Sequence, residues 1–90
     1  PEPNDYYNAA LYFLQEKIDL NQAKDWMETA IARRDTPAFW MYYRHALILS
    51  ELNDSKAALK FAKKSLALAE EVQNKDYIIL NKELIEQYSQ

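Results

Sequence analysis

The chain contains 90 residues, of which 49% are hydrophobic and 28% are charged, and its formal net charge is −3. It has no cysteine and no glycine, which excludes disulfide bonds, thiolate metal sites and glycine-rich phosphate-binding loops. The acidic balance argues against a nucleic-acid partner, and no apolar run approaches the ~18 residues of a membrane span. A chain of this length forms one domain.

The first predicted helix covers about residues 5–16, where apolar side chains recur at helical spacing from Tyr6 to Leu14. Asn4 or Asp5 is expected to cap its N-terminus. Residues 1–3 read Pro-Glu-Pro and are expected to form a short extended lead. Because the chain starts with proline rather than methionine, we expect it to be a fragment of a longer protein.

A second helix is predicted over about residues 20–34. Asp19 precedes it, and a glutamine three residues later completes a capping-box pattern. Two arginines at the end of the segment suit the negative C-terminus of a helix. One face of this helix carries its apolar side chains: Ala23, Trp26, Met27, Ala30 and Ile31.

Three further helices follow. Thr36-Pro37 is typical of a helix start and predicts a third helix over about residues 37–52, which ends at a left-handed Asn53. Asp54 or Ser55 is expected to cap a fourth helix over about residues 55–73, with Asn74 as its left-handed C-terminal residue. A fifth helix, about residues 77–88 with Asp76 as cap, has a predicted inner face of Leu80, Leu84, Ile85 and Tyr88.

The first four helices repeat with a period near 35 residues. The pairs Tyr6/Tyr42, Tyr7/Tyr43, Ala10/Ala46 and Leu11/Leu47 are 36 residues apart, and Asp19/Asp54, Ala23/Ala58, Trp26/Phe61, Ala30/Ser65 and Ile31/Leu66 are 35 apart. A fixed period with small residues at set places predicts helical hairpins that pack closely. The change from 36 to 35 makes the first turn one residue longer. We therefore predict an all-α domain over residues 1–90, with hairpins at about 5–34 and 37–73 and a capping helix at about 76–88.

This pattern resembles the tetratricopeptide repeat, whose signature is an aromatic residue, a small residue, a Gly-Asp-like turn and two spaced alanines. Asn53 stands at the turn glycine of that family and still tolerates a left-handed backbone. The resemblance implies a stacked solenoid in which the first helix of each hairpin lines a concave surface. It also implies a protein-interaction module.

A second resemblance covers nearly the whole chain. The segments at residues 8–15, 19–26, 65–66, 74–77 and 81–85 are similar to the helical C-terminal region of a secreted or periplasmic bacterial family of unknown function. That family carries a β-rich domain before the helices. The resemblance implies an extracytoplasmic location and a missing N-terminal domain, and it supplies no catalytic residues.

The sequence offers little chemistry. The single histidine, His45, is more consistent with a partly buried, hydrogen-bonded structural residue than with a ligand. Glu70 and Glu71 are adjacent on a helix and point apart, which disfavours a paired-carboxylate site. The lysines of the fourth helix form a solvated face. We expect a non-enzymatic protein without cofactor, metal or catalytic residues.

The best functional signal is a set of aromatic and apolar residues on the predicted concave surface, because exposed apolar patches mark interfaces. The predicted partner-binding residues are Tyr7, Leu11, Leu14, Trp40, Tyr43, Leu47, Ile78 and Lys82. Tetratricopeptide modules that bind C-terminal carboxylates use polar and basic residues at these places, so an apolar or aromatic partner is expected here.

Two functions fit this surface. The first is a protein-protein or peptide interaction module that uses the aromatic, apolar face. The alternative is a structural accessory tail that packs on its own N-terminal domain or forms a homodimer, in which case the same residues are covered.

Overall fold

The computed structural model describes residues 3–89 of the protein. Within that range it contains five α-helices and no strand, which confirms the predicted all-α class. The helices are α1 (Pro3–Glu16), α2 (Leu20–Ala32), α3 (Phe39–Glu51), α4 (Ser55–Glu71) and α5 (Lys75–Gln87).

The third helix lies at the centre of the domain. It contacts each of the other four helices, while α1 packs on α2 and α4 packs on α5. The helices therefore form two layers, with α1, α3 and α5 in one and α2 and α4 in the other. This position explains why α3 has the most buried side chains: Met41, Tyr42, Tyr43, His45, Ala46, Ile48 and Leu49.

Small residues lie where the helices approach most closely. All five repeated alanine positions (Ala10, Ala23, Ala30, Ala46 and Ala58) have no exposed surface. Large side chains fill the space beside them in two clusters, one between α1, α2 and α3 and the other between α3, α4 and α5. Removing this apolar surface from water stabilises the fold by roughly 25 cal/mol per Å².

The two turns inside the hairpins each contain a left-handed residue after the first helix and an aspartate N-cap before the second. Lys17 and Asn53 have left-handed backbones with φ of 54° and 62°. The N-caps Asp19 and Asp54 then accept backbone N–H bonds at 3.2 Å. In the first turn Ile18 stands between Lys17 and the cap Asp19, which is itself left-handed with φ 38°, whereas Asn53 is followed directly by Asp54, whose φ is −92°. This is the additional residue that the change of period predicts.

The start of α1 differs from the prediction. The helix begins at Pro3, so Asn4 and Asp5 lie within its first turn and neither is its N-cap. Proline suits the first helical position because its fixed φ is helical and its missing N–H has no intrahelical acceptor there. The predicted extended lead is therefore wrong at Pro3, and its other two residues lie outside the described range.

The start predicted at Thr36-Pro37 is also wrong. Thr36 lies in a bend, Ala38 is extended (φ −86°, ψ 156°), and α3 begins at Phe39 without a side-chain cap. Proline fixes φ but leaves ψ free to be extended. Here residues 36–38 run beside the C-terminal half of α4 and line a cleft with it.

The ends of α2, α4 and α5 are shifted by one or two residues. Helices α2 and α4 end at Ala32 and Glu71, two residues earlier than predicted. Gln73 is the left-handed residue after α4, with φ 55°. Asn74 instead caps α5 by accepting the Tyr77 N–H at 3.0 Å, which places Asp76 in the first helical turn. As at Asn53, the cap follows the left-handed residue directly.

A buried polar pair joins the fifth helix to the second hairpin. Asn81 and Ser65 both have no exposed surface. The Asn81 amide donates to Ser65 Oγ at 2.8 Å and to the Tyr77 carbonyl at 2.9 Å, and Ser65 Oγ donates to the Phe39 carbonyl at 2.7 Å. Asn81 lies 35 residues after Ala46, and Ser65 lies 35 residues after Ala30. Both thus stand where the repeat has alanine, and here they are hydrogen-bonded between α4 and α5.

We expect Asn81→Ala to lower the free energy of unfolding by about 1–3 kcal/mol, because the buried hydrogen bonds are lost and a small cavity forms. Combining it with Ser65→Ala should cost at least about 0.5 kcal/mol less than the sum of the two single changes. Urea denaturation of the four proteins measures this coupling. Ser89→Ala, at an exposed serine, is the control. Strictly additive losses would contradict the pairing.

Candidate functional site

The eight residues predicted to bind a partner lie on α1, α3 and α5, the helices of one layer. We call them the groove surface: Tyr7, Leu11 and Leu14 on α1, Trp40, Tyr43 and Leu47 on α3, and Ile78 and Lys82 on α5. Trp40 and Lys82 are exposed, Tyr43 is buried, and the other five are half-buried. The groove surface is thus less open than a free apolar patch.

Tyr43 supports the groove surface from beneath. Its side chain is 8% exposed, and its ring meets the Tyr77 ring edge-on at a centroid distance of 5.5 Å. Tyr43 belongs to the cluster between α3, α4 and α5, so α5 covers it. Tyr43 is therefore covered inside the protein.

The half-buried members divide into two kinds. Tyr7 and Leu14 pack on the cluster between the first hairpin and α3, and Leu47 packs on the cluster next to α5. Within residues 3–89, Leu11 and Ile78 are the half-buried groove residues that belong to neither cluster. Leu11 and Ile78 are therefore the apolar side chains most available to a partner.

Arg44 lies beside the groove surface, and the sequence analysis did not predict it as a site residue. Its guanidinium carbon lies 5.3 Å from the centroid of the Tyr43 ring, and the side chain is half-buried. Burial raises the pKa of Tyr7, and the charge and side-chain hydrogen bond of Arg44 partly offset that rise. Spacing along α3 gave no signal, because Arg44 is one residue away from the predicted face and reaches the groove through the length of its side chain.

Two other titratable groups, Tyr77 and Glu83, act on the Tyr43 phenol. Burial raises the pKa of Tyr43, and besides Arg44, which lowers it, Tyr77 and Glu83 add to the rise. Both phenols are therefore neutral at pH 7 and can donate a hydrogen bond. The Arg44 Nε atom is buried and has no hydrogen-bond partner among the described residues. The groove thus combines apolar side chains with a cation, the exposed Lys82 and one nearby carboxylate.

Trp40 borders a separate cleft. The cleft lies between the α2–α3 loop, the start of α3 and the C-terminal half of α4, and its volume is about 340 Å³. None of the other seven groove residues lines it. The lining residues of this cleft, called the Trp40 cleft below, are Thr36, Pro37, Ala38, Phe39, Trp40, Leu68, Glu71 and Val72.

His45 is a buried structural histidine. Its side chain is 2% exposed and meets the Phe61 ring edge-on at 4.5 Å. Nδ1 has no partner within the described residues, and Nε2 is 3.9 Å from the Glu28 carboxylate, longer than a hydrogen bond. The expected hydrogen bonding is therefore wrong. Burial lowers the pKa of His45 to about 4, with the charge of Lys24 acting in the same direction.

The described residues contain neither a metal-ligand cluster nor a membrane-spanning helix. Across residues 3–89, no three acidic or histidine side chains are grouped so that they could hold a metal ion. No helix in that range combines the length and the apolar character needed to cross a membrane. Comparisons with protein-family models, curated proteins and solved structures gave no significant match.

The low pKa of His45 predicts a pH-dependent stability. The unfolded chain binds a proton below about pH 6.5, whereas the folded chain does so only near pH 4. The contribution of neutral His45 is therefore complete above about pH 6.5 and is lost as the pH falls toward 4, by up to about 3 kcal/mol.

Chemical denaturation of the wild type and of His45→Leu across this pH range measures the effect. The wild type should lose more stability than the variant, since only the wild type carries the imidazole, while the titration of carboxylates is common to both. Parallel curves, or a His45 resonance that titrates near its ordinary pKa, would contradict the assignment.

Proposed function

We propose that this protein is a non-enzymatic interaction module, built from tetratricopeptide-like hairpins, that binds a short peptide segment on the groove surface. The occupant carries a leucine- or phenylalanine-like side chain next to a carboxylate. The observation that carries the proposal is a half-buried arginine placed among apolar side chains of a single helical layer.

The apolar part of the proposal rests on Leu11 and Ile78. Both side chains retain exposed surface and neither is committed to a core cluster. Partner side chains that cover them remove apolar surface from water at roughly 25 cal/mol per Å². Binding energy in such interfaces is concentrated in a few desolvated contacts.

The charged part rests on Arg44 and Lys82. A carboxylate next to an arginine that is already half-buried forms a charge-assisted hydrogen bond with little further ordering of the side chain. Lys82 adds a second positive charge on α5, against the single carboxylate of Glu83. The net charge of Arg44, Lys82 and Glu83 together is positive, whereas the net charge of the whole chain is −3. An apolar partner is therefore expected to be acidic as well.

Two pairs of neighbouring residues test the groove. Leu11→Ala and Ile78→Ala change groove residues, while Tyr12→Ala and Ile79→Ala change neighbours that are 56% and 55% exposed and outside it. Fluorescence anisotropy with short labelled leucine–aspartate peptides should show about five- to tenfold weaker binding for the groove variants, since one desolvated contact is lost. The neighbour variants should bind normally.

Peptides with lysine in place of aspartate are the charge control and should bind at least about tenfold more weakly. Thermal unfolding of each variant shows that the fold is retained. Equal effects of Ile78→Ala and Ile79→Ala, or equal binding of the lysine peptides, would contradict the groove proposal.

A second candidate function is a structural tail that packs on another domain of the same protein or on a second copy of the chain. Tyr12, Ile18 and Ile79 favour it, because they are large, exposed apolar residues outside the groove surface. A stable homodimer buries about 800 Å² per partner. Such an area needs several of these side chains at one interface.

Sedimentation equilibrium over a wide concentration range separates the two functions. The peptide-binding proposal expects a monomer. The structural proposal expects a dimer that Ile79→Asp weakens, because a carboxylate at a dry interface has no partner. Ile78→Asp is the matched change on the groove surface. A dimer sensitive only to Ile78→Asp would show that the groove surface itself is the dimer interface. That result would support the structural function and contradict the peptide-binding proposal.

A further inference from the structure

The Trp40 cleft shares only Trp40 with the groove surface and has the opposite electrostatic character. Seven of its eight lining residues carry no charge, and the eighth is the carboxylate of Glu71. The walls are mostly apolar carbon, from proline, alanine, leucine, valine and two aromatic rings. A cavity of this kind selects a ligand that has an apolar body and a positive end.

The indole of Trp40 is held in place at the mouth of the cleft. It is 39% exposed, and its ring meets the Phe39 ring edge-on at 5.2 Å and 86°. Phe39 is fixed in turn by the Tyr77 ring at 5.0 Å. A fixed indole face attracts a cation through its quadrupole, and tryptophan is the strongest of the aromatic side chains in this respect.

The end of α4 adds further negative potential. This helix ends at Glu71, and its last turn contains no basic residue. The C-terminus of a helix carries roughly half a negative charge, which no side chain of that turn offsets here. Within residues 3–89 no cationic nitrogen lies within 4.0 Å of the Glu71 carboxylate. The carboxylate is exposed and available to a ligand.

Basic residues near this end of the domain are engaged elsewhere or lie outside the lining. The Lys64 ammonium sits 4.8 Å from the Tyr42 ring centroid. Lys75 begins α5 but does not line the cleft. Nothing on the lining therefore competes with an incoming cation.

We propose that the Trp40 cleft binds the side chain of an arginine or lysine that a partner polypeptide presents between apolar residues. The aliphatic stem packs on Pro37, Leu68 and Val72. The charged end lies between the indole of Trp40 and the carboxylate of Glu71. Long basic side chains suit this site because their stems are apolar and only their ends need a polar environment.

The probe is a capped leucine–arginine–leucine peptide, and the readout is the indole N–H resonance of Trp40 in ¹⁵N-labelled protein. Trp40→Leu assigns that resonance. The arginine peptide should shift it saturably. The matched citrulline peptide, which keeps the shape and loses the charge, should bind about five- to tenfold more weakly.

Two variants test whether the positive end of the peptide binds at the cleft. Glu71→Gln should weaken binding of the arginine peptide about threefold, because an exposed ion pair contributes no more than about 1 kcal/mol. Glu70→Gln makes the same charge change on the adjacent residue, which does not line the cleft, and should leave binding unchanged. Raising the salt concentration should weaken the arginine peptide and not the citrulline peptide.

Three results would overturn the proposal: equal binding of the arginine and citrulline peptides, equal effects of Glu71→Gln and Glu70→Gln, or no shift of the indole resonance at millimolar peptide. The groove proposal fails or survives separately. Leu11→Ala affects only the groove, and Glu71→Gln affects only the cleft.

Discussion

Close approach of helices at alanine is the constraint on which this structure depends. Ala10 and Ala46 allow the first helix of each hairpin to lie against its partner, and Ala23 and Ala58 do the same from the other side. Any larger side chain at these places would move the helix axes apart and open the clusters beside them. The aromatic residues follow from this spacing, because rings are the side chains long enough to fill the gaps that remain between successive helices.

The central position of α3 is a consequence of the same packing. It contacts every other helix, and its two faces take part in both core clusters. Both candidate binding sites depend on it. Arg44 enters the groove from α3, and Trp40 forms the mouth of the cleft at the start of α3. Because α3 is so largely buried, its exposed positions are held rigidly, which lowers the entropy that a partner must remove on binding.

The helices could be predicted from the sequence, whereas the α2–α3 loop and the contacts between helices could not. The period of about 35 residues located the first four helices, since a repeated face is a strong signal, and the apolar face of α5 located the fifth. The left-handed Asn53 and the caps Asp19 and Asp54 also followed from local chemistry. The helix start predicted at Thr36-Pro37 was wrong, and that loop lines a cleft with residues of α4 that are distant in sequence. Arg44 was missed for a similar reason, and the sequence left open whether Tyr43 is exposed or covered. Both depend on how α1 and α5 pack against α3, which helical spacing within one element cannot specify.

The pairing of Asn81 with Ser65 also determines which hairpin α5 can join. By its apolar face alone, α5 would compete with α3 for the first hairpin. There the position of Ser65 is occupied by Ala30, which has no hydroxyl group. An asparagine buried against that alanine would leave an amide donor without a partner, at a cost of about 1–3 kcal/mol. At the observed site the Asn81 amide N–H donates to Ser65 Oγ, although Asn81 Oδ1 is buried without a hydrogen-bond partner among the described residues. The polar pair therefore favours docking of α5 on the second hairpin over docking on the first.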